Sequence, residues 1–347
     1  MQQTTCDAAP AMEEQPPARD TDRPSVKLSR RGLLATAAGL AGTAGALAQP
    51  VWPTRPVRLI VPYLPGSSPD VNARLLGDAL TPRLGQPVVI EDRPGAATNV
   101  GSSFVARQAA ADGHILLFAG GPLSVNPFLY ARMDFDPLTD LAPVSLVFSE
   151  HNVVVVPAES PIRTLEQLVE HLRTNPNTTY ASSGYGGSAH LSAALFLVRT
   201  GTQAEHIPFR GAPEIVNALL GQTVTFAIPQ FQPTLPQIRA GTLRALAVTS
   251  ADRSPLLPDV PAVAEMLSGY EYSSWMGIMA PARVPPFVVN RLAEEVKAIL
   301  ADPGFRARVT ADGTRINLLG PEAYREFLVK DAERGKEAVR LSGARIE

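Results

Sequence analysis

The chain has 347 residues, enough for two or three domains, and 45% of them are hydrophobic, so a sizeable core can be built. Its 31 basic and 33 acidic residues leave a formal charge of −2, with no excess that would point to nucleic acid or to an anionic membrane surface. Cys6 is the only cysteine, which excludes an internal disulfide, a thiolate zinc centre and an iron–sulfur cluster.

Residues 1–28 are polar and irregular. Ser29-Arg30-Arg31-Gly32-Leu33-Leu34 follows, then a mild, uncharged run rich in alanine and glycine. The run ends Ala46-Leu47-Ala48, a small-x-small cleavage signal before Gln49. Paired arginines ahead of a weak apolar run read as a twin-arginine signal peptide over residues 1–48. The alternative, a buried helix, is opposed by the glycines and by the lack of a polar face. The run is too short for a comfortable membrane span. Cys6 lies upstream of it and does not fit a lipid anchor. Met12 is an alternative start.

Beyond the signal, Arg58-Leu59-Ile60-Val61 reads as a short buried strand bounded by prolines. A helix is expected from Asp70, with Val71, Leu75 and Ala79 on one face. Val88-Val89-Ile90 is a strand, Val100 to Ala110 a helix and Ile115 to Phe118 a strand. Strand–helix alternation with short loops predicts a mainly parallel sheet covered on both faces. The pattern restarts at Val153-Val154-Val155-Val156. Thr164 caps a helix through His171, with Gln167 placed for a capping box. Tyr180 to Ser183 ends a strand, Ala189 to Thr200 is a helix and Pro213 opens another through Leu220. Val224 to Ala227 and Ala245 to Val248 are further strands. Pro286 to Ala301 and Pro321 to Leu341 are amphipathic helices expected to pack back on the first lobe. The fold class is therefore α/β with two lobes.

Two loops carry the candidate chemistry. Pro65-Gly66-Ser67-Ser68-Pro69-Asp70 links a strand to a helix N-terminus, and Ser182-Ser183-Gly184-Tyr185-Gly186-Gly187-Ser188 repeats the device in the second lobe. Small residues leave backbone N–H groups open, and the helix dipole favours an anion. Tight turns need glycine anyway, so either loop alone reads as plain geometry before it reads as a site. The pair, one per lobe at the carboxyl ends of strands, is where open α/β sheets bind ligands. Neither loop holds Lys or Arg, so amides and hydroxyls would carry the anion. About four to six charge-assisted hydrogen bonds at roughly 1.5–3 kcal/mol each, less the ordering cost, reach a micromolar complex near about −8 kcal/mol.

Phosphate-loop, nucleophile-elbow and zincin motifs are absent, and the five histidines, His114, His151, His171, His190 and His206, have no metal-ligand spacing. The reading therefore assigns no catalytic residue, no metal and no cofactor. His190 reads as a first-turn helix residue bonding a neighbouring loop, and His114 as solvated at a strand start. Tyr272 and Trp275 read as core or hinge packing. Arg210, in Phe209-Arg210-Gly211, is either an anion contact or a solvated arginine.

These residues resemble the receptor family of tripartite tricarboxylate transporters, the Bug receptors, over essentially the whole mature chain. The resemblance runs through Trp52-Pro53-Thr54-Arg55-Pro56, Val61-Pro62-Tyr63, Leu84 to Val89, Glu91 to Ala96, Asp112-Gly113 and Asn126 to Tyr130. It continues through Ser183 to Gly186 with His190, Ala240 to Ser250, Pro258 to Pro261 and Trp275-Met276-Gly277. It implies a type II periplasmic-binding fold with a ligand cleft at the hinge and lobes of residues 49–151 plus 276–347 and 152–275. It also implies a carboxylate held by Tyr63, Pro65, Gly66, Ser67, Ser68 and Asp70, and by Ser182, Ser183, Tyr185, Gly186, Gly187, Ser188 and His190. Gly121, Ser124 and Asn126, then Arg210, Gly211, Ala212, Pro229 and Gln230, would line the same cleft.

The implied role is a monomeric, non-catalytic periplasmic receptor that delivers a mono-, di- or tricarboxylate to membrane permease subunits, without nucleic acid. The alternative is a periplasmic sensing module that presents the ligand to a signalling protein. A transcription regulator would need a DNA-binding element where the export signal stands, and an exported redox enzyme would need cofactor ligands. Ser67 departs from the family's usual second glycine, Ala96-Ala97 from a glycine pair and Val224 from an aspartate. These departures bear on the substrate end away from the common carboxylate.

Overall fold

The computed structural model describes residues 51–343, 345 and 346; Cys6, the paired arginines and the segment ending at Ala48 lie outside them. The first lobe opens with β1 (Val57–Val61), α1 (Ser68–Leu84) and β2 (Val88–Asp92). Next come α2 (Asn99–Ser103), which runs on into a wider helical turn over Phe104–Gln108, then β3 (Ile115–Gly120), α3 (Pro122–Leu129) and the long β4 (Leu141–His151). Asn152 leads into the second lobe. It comprises β5 (Val153–Pro157), α4 (Leu165–Thr174), β6 (Thr179–Ser182), α5 (Ser188–Thr200), β7 (Glu205–Pro208) and α6 (Ala212–Leu220). It closes with β8 (Phe226–Ala227), α7 (Phe231–Arg239), β9 (Leu243–Val248) and α8 (Val263–Met266). The chain returns along β10 (Ser273–Pro281) and finishes with α9 (Pro286–Ala301), α10 (Pro303–Thr310), β11 (Arg315–Leu319) and α11 (Pro321–Ser342).

The first sheet has the order β11-β4-β10-β3-β1-β2 and the second β7-β6-β8-β5-β9. β1 pairs in parallel with β2 and β3, and β6 with β7 and β8, as strand–helix alternation requires. The other pairings are antiparallel, so both sheets are mixed. The reason is the crossing itself. The chain leaves the first lobe along β4 and comes back along β10, so the two strands run side by side in opposite directions from Ser273↔His151 to Pro281↔Leu141.

Local chemistry explains the elements. Thr164 Oγ1 accepts the Gln167 amide at 3.2 Å, and the Gln167 side chain accepts the Arg163 amide at 2.7 Å, one residue earlier than a standard capping box. α1 buries Ala73, Leu76, Leu80 and Leu84 rather than Val71, Leu75 and Ala79, since Val71 is exposed and the other two half-buried. Asp70 sets this rotation. It is buried, bonds back to the Gly66 amide at 2.7 Å, and lies on the same face as Ala73 and Leu80. His114 is buried rather than solvated: Trp52 packs over it at 5.9 Å and its Nε2 accepts the Thr54 amide at 3.2 Å.

The carboxy-terminal helices do return to the first lobe, with Val288, Leu292 and Val296 in its core. α11 goes further and packs on α3 and β4 of that lobe and also on α5 of the second. Gly335 makes this possible: a Cβ there would stand 2.5 Å from the Ser124 carbonyl oxygen. Asn152 sits fully buried at the crossing, where its amide nitrogen donates to Thr249 Oγ1 at 2.7 Å and its side chain donates to the Ile228 carbonyl at 2.7 Å.

Candidate functional site

A cleft of roughly 1470 Å³ opens between the lobes. The turn after β1 enters from the first lobe, and the turn after β6 from the second. Of the residues expected there, Tyr63, Pro65, Gly66, Ser67, Ser68, Gly121, Ser183, Tyr185, Gly186, Gly187, Ser188, Arg210, Gly211, Ala212, Pro229 and Gln230 line it. Asp70, Ser124, Asn126, Ser182 and His190 stand behind its wall, where each is buried.

Most of those rear residues hold the wall in shape. Asp70 takes the Gly66 amide and pairs with Arg74 at 2.7 Å. Asn126 donates to the Ala97 carbonyl at 2.7 Å and to Asn99 at 2.8 Å. Ser182 Oγ accepts the Gly184 amide at 3.1 Å and contacts His206 Nε2 at 2.5 Å. His190 Nδ1 accepts the Gly186 amide at 3.2 Å. The two imidazoles lie 4.3 Å apart between Tyr180 and Tyr185, which pack against His206 at 5.0 and 4.8 Å. Burial pushes His206 down to about 4; burial and the neighbouring His206 push His190 down to about 3. Both rings are therefore neutral at physiological pH, and His190 Nδ1 is an acceptor.

The donors left for an anion are fewer than the open loops suggested. In the first loop the Gly66 amide is taken by Asp70, and the Ser67 amide donates to the Leu64 carbonyl at 3.2 Å. The Ser68 hydroxyl is held by Glu150 and the Ser188 hydroxyl by Asn152 Oδ1, the latter at 2.8 Å. Among the described residues the amides of Ser68, Ser183, Tyr185, Ser188 and Ala189 and the Ser183 hydroxyl have no partner. They belong to the N-termini of α1 and α5 and the loops before them, where unpaired N–H groups favour negative charge.

Two walls lie outside the residues expected to hold the ligand. One is the loop Pro94–Thr98, in which Ala96, Ala97 and Thr98 take φ values of 45°, 47° and 79°. Three consecutive left-handed residues without glycine cost roughly 1–2 kcal/mol each, and the Asn126 bond to the Ala97 carbonyl helps to hold them. Ala97→Gly should therefore raise stability by about 1 kcal/mol in urea unfolding; an unchanged or lower midpoint would show that the conformation carries no strain. The other wall is α11, which contributes Asp331, Arg334 and Glu337. The signal that could have found it is Gly335 in the middle of a charged helix. The Trp275 ring nitrogen donates to Asp331 at 2.6 Å, and burial raises the Asp331 carboxyl above its ordinary value. Arg210 and Arg334 both line the cleft, and neither forms an ion pair among the described residues.

Known proteins share this architecture. Residues 72–342 match the tripartite tricarboxylate transporter family receptor. BugT of Bordetella pertussis (strain Tohama I) is 35% identical over 324 residues, covering 90% of this chain and 98% of BugT. The periplasmic binding protein BugD superposes with a TM-score of 0.79 at 32% identity, covering 85% of this chain and 100% of BugD. Rpa4515 of R. palustris, solved with adipate, superposes with a TM-score of 0.81 at 30% identity over 85% of this chain and 100% of its own. With two mixed sheets, a cleft between them and this match along most of its length, the chain belongs to the tripartite tricarboxylate transporter receptor family of periplasmic solute-binding proteins, which are receptors and not enzymes.

Proposed function

We propose that this receptor captures a small mono-, di- or tricarboxylate in the cleft and delivers it to the membrane subunits of a tripartite tricarboxylate-type transporter. In this reading it acts as a monomer in the periplasm, which it reaches by the twin-arginine route. Its lobes, residues 49–151 with 276–347 and residues 152–275, close on the ligand about the crossings at Asn152 and Ser273. The observation that carries the reading is the facing pair of loops, Pro65–Ser68 and Ser183–Ser188, each leading into a helix N-terminus with unpartnered amides. The adipate bound to Rpa4515 supports the same ligand class.

A thermal-shift screen over acetate, succinate, adipate, malate and citrate tests it, with putrescine and glucose as controls. A ligand at 100 times its Kd stabilises the native state by about 2.7 kcal/mol, a rise in Tm of several degrees. At least one carboxylate should give that rise. A shift with putrescine or glucose and none with any carboxylate would overturn the reading.

A further inference from the structure

Behind the first loop lies a carboxylate that does not line the cleft. Glu150, near the end of β4, is fully buried. One of its oxygens accepts the Ser68 hydroxyl, and the other accepts the Gln232 amide at 2.6 Å. Ser68 opens α1 in the first lobe and lines the cleft, whereas Gln232 lies in the first turn of α7 in the second lobe. A single carboxyl group thus spans the hinge and holds the hydroxyl of a residue that lines the cleft, a hydroxyl whose oxygen also accepts the Asn72 side-chain amide at 3.3 Å.

The charged surroundings of Glu150 are few. Asp312, just before β11, takes the Gln232 side-chain amide and faces Glu150 with like charge. On α1, Asp70 is paired with Arg74. His151, the next residue of β4, has both ring nitrogens unpartnered and is pushed down to about 4 by burial and by Arg315 of β11. β10 offers the uncharged Ser274, whose hydroxyl donates to the Glu150 carbonyl at 3.2 Å. Burial pushes the Glu150 carboxyl up to about 7, with Ser68 and Gln232 pulling it down and Asp312 adding to the rise.

We propose that Glu150 is a positioning residue that sets the direction of the Ser68 hydroxyl. Ionised, it holds the hydroxyl for itself; protonated, it donates to Ser68 Oγ and frees the hydroxyl hydrogen for a carboxylate in the cleft. The proposal rests on the reading that the cleft takes a carboxylate. The proton comes from solvent, settles on the Glu150 oxygen nearest Ser68, and returns to solvent when the ligand leaves. Uptake also removes a negative charge from beside the incoming anion, so capture and protonation favour each other.

Calorimetry with adipate at pH 6, 7 and 8 tests this on the wild type, Glu150→Gln and Ser68→Ala. A group titrating near 7 makes wild-type affinity fall about tenfold from pH 6 to pH 8. Glu150→Gln keeps an acceptor for the Gln232 amide and donates an amide hydrogen to Ser68 Oγ, which reproduces the protonated arrangement. It should bind at pH 8 as tightly as the wild type does at pH 6, with a flat profile. Ser68→Ala should be flat and weak. A flat wild-type profile, or a Glu150→Gln profile that keeps the wild-type slope, overturns the proposal; a merely structural role predicts weaker binding of Glu150→Gln at every pH.

Selective ¹³C labelling of glutamate carboxyls supplies a readout that needs no ligand. Glu150 should titrate near pH 7 in the free protein and move on Ser68→Ala, whereas titration in the ordinary carboxylate range overturns the proposal. Absence of adipate binding at every pH would instead count against adipate as a ligand of the cleft, and the free-protein titration then decides the role of Glu150 alone.

Discussion

Ser183→Asp should reduce carboxylate binding by about 10²–10³-fold. Ser183 is exposed to the cleft, its hydroxyl has no partner among the described residues, and it stands at the entry to the loop whose amides remain open. An aspartate there would place like charges at contact distance as the lobes close and water leaves. Such a juxtaposition costs several kcal/mol, and each 1.4 kcal/mol is a factor of about ten in Kd. Ser183→Asn matches the aspartate in size without its charge and should stay within about tenfold of the wild type. Arg210→Ala should also stay within about tenfold, because an exposed guanidinium is screened by salt. Calorimetry on the three variants, each first shown to be folded by circular dichroism, separates the readings. If Ser183→Asp binds like the wild type while Arg210→Ala does not, the amide cradle is wrong and the cleft works as a basic pocket.

The parts of the fold legible in the sequence are those fixed by neighbours along the chain. The valine run Val153–Val156, the Thr164 cap and the prolines that open α9 and α11 each state a local preference that the tertiary structure keeps. The two glycine- and serine-rich loops were legible for the same reason, since a strand, a tight turn and a helix N-terminus are local features. α7 was not legible: Pro233 and Pro236 argue against a helix, yet Pro233 falls in its first turns, where an amide hydrogen is dispensable. The long hinge strands were hidden by Pro143, Glu150 and His151, whose partners lie on distant stretches of the chain.

The candidate site divides the same way. Residues that line the cleft were found from the loops that carry them, but the commitment of their donors was not. That the Ser68 hydroxyl belongs to Glu150, 82 residues on, and the Ser188 hydroxyl to Asn152, 36 residues back, follows only once the lobes are assembled. The same holds for the left-handed Ala96 and Ala97, which as alanines look like helix formers and keep their conformation because α3 supplies Asn126.

Acid should destabilise the protein steeply between about pH 6.5 and pH 4.5. His151 and His190 are almost wholly buried, and burial pushes them down to about 4 and about 3. In the unfolded chain each takes a proton near pH 6.5. Between the two values the unfolded state binds more protons, so stability is full above pH 6.5 and falls as the pH drops, by up to about 1.4 kcal/mol per unit for each ring. His206, pushed down to about 4 but partly exposed, adds in the same direction. Glu150 opposes them: its folded value near 7 lies above the ordinary carboxylate value, so it adds stability as the pH falls from about 7 to about 4.5. The histidines outnumber it, and a total stability of about 5–15 kcal/mol leaves little margin near pH 4. His190→Asn should remove one of these protons while its side-chain oxygen still accepts the Gly186 amide that Nδ1 holds at 3.2 Å. Urea unfolding at pH 7, 6 and 5 should show that variant losing stability less steeply than the wild type, by about 1 kcal/mol per unit. A wild type equally stable at all three pH values, or a variant with the wild-type slope, would show that these rings are not held neutral by the fold.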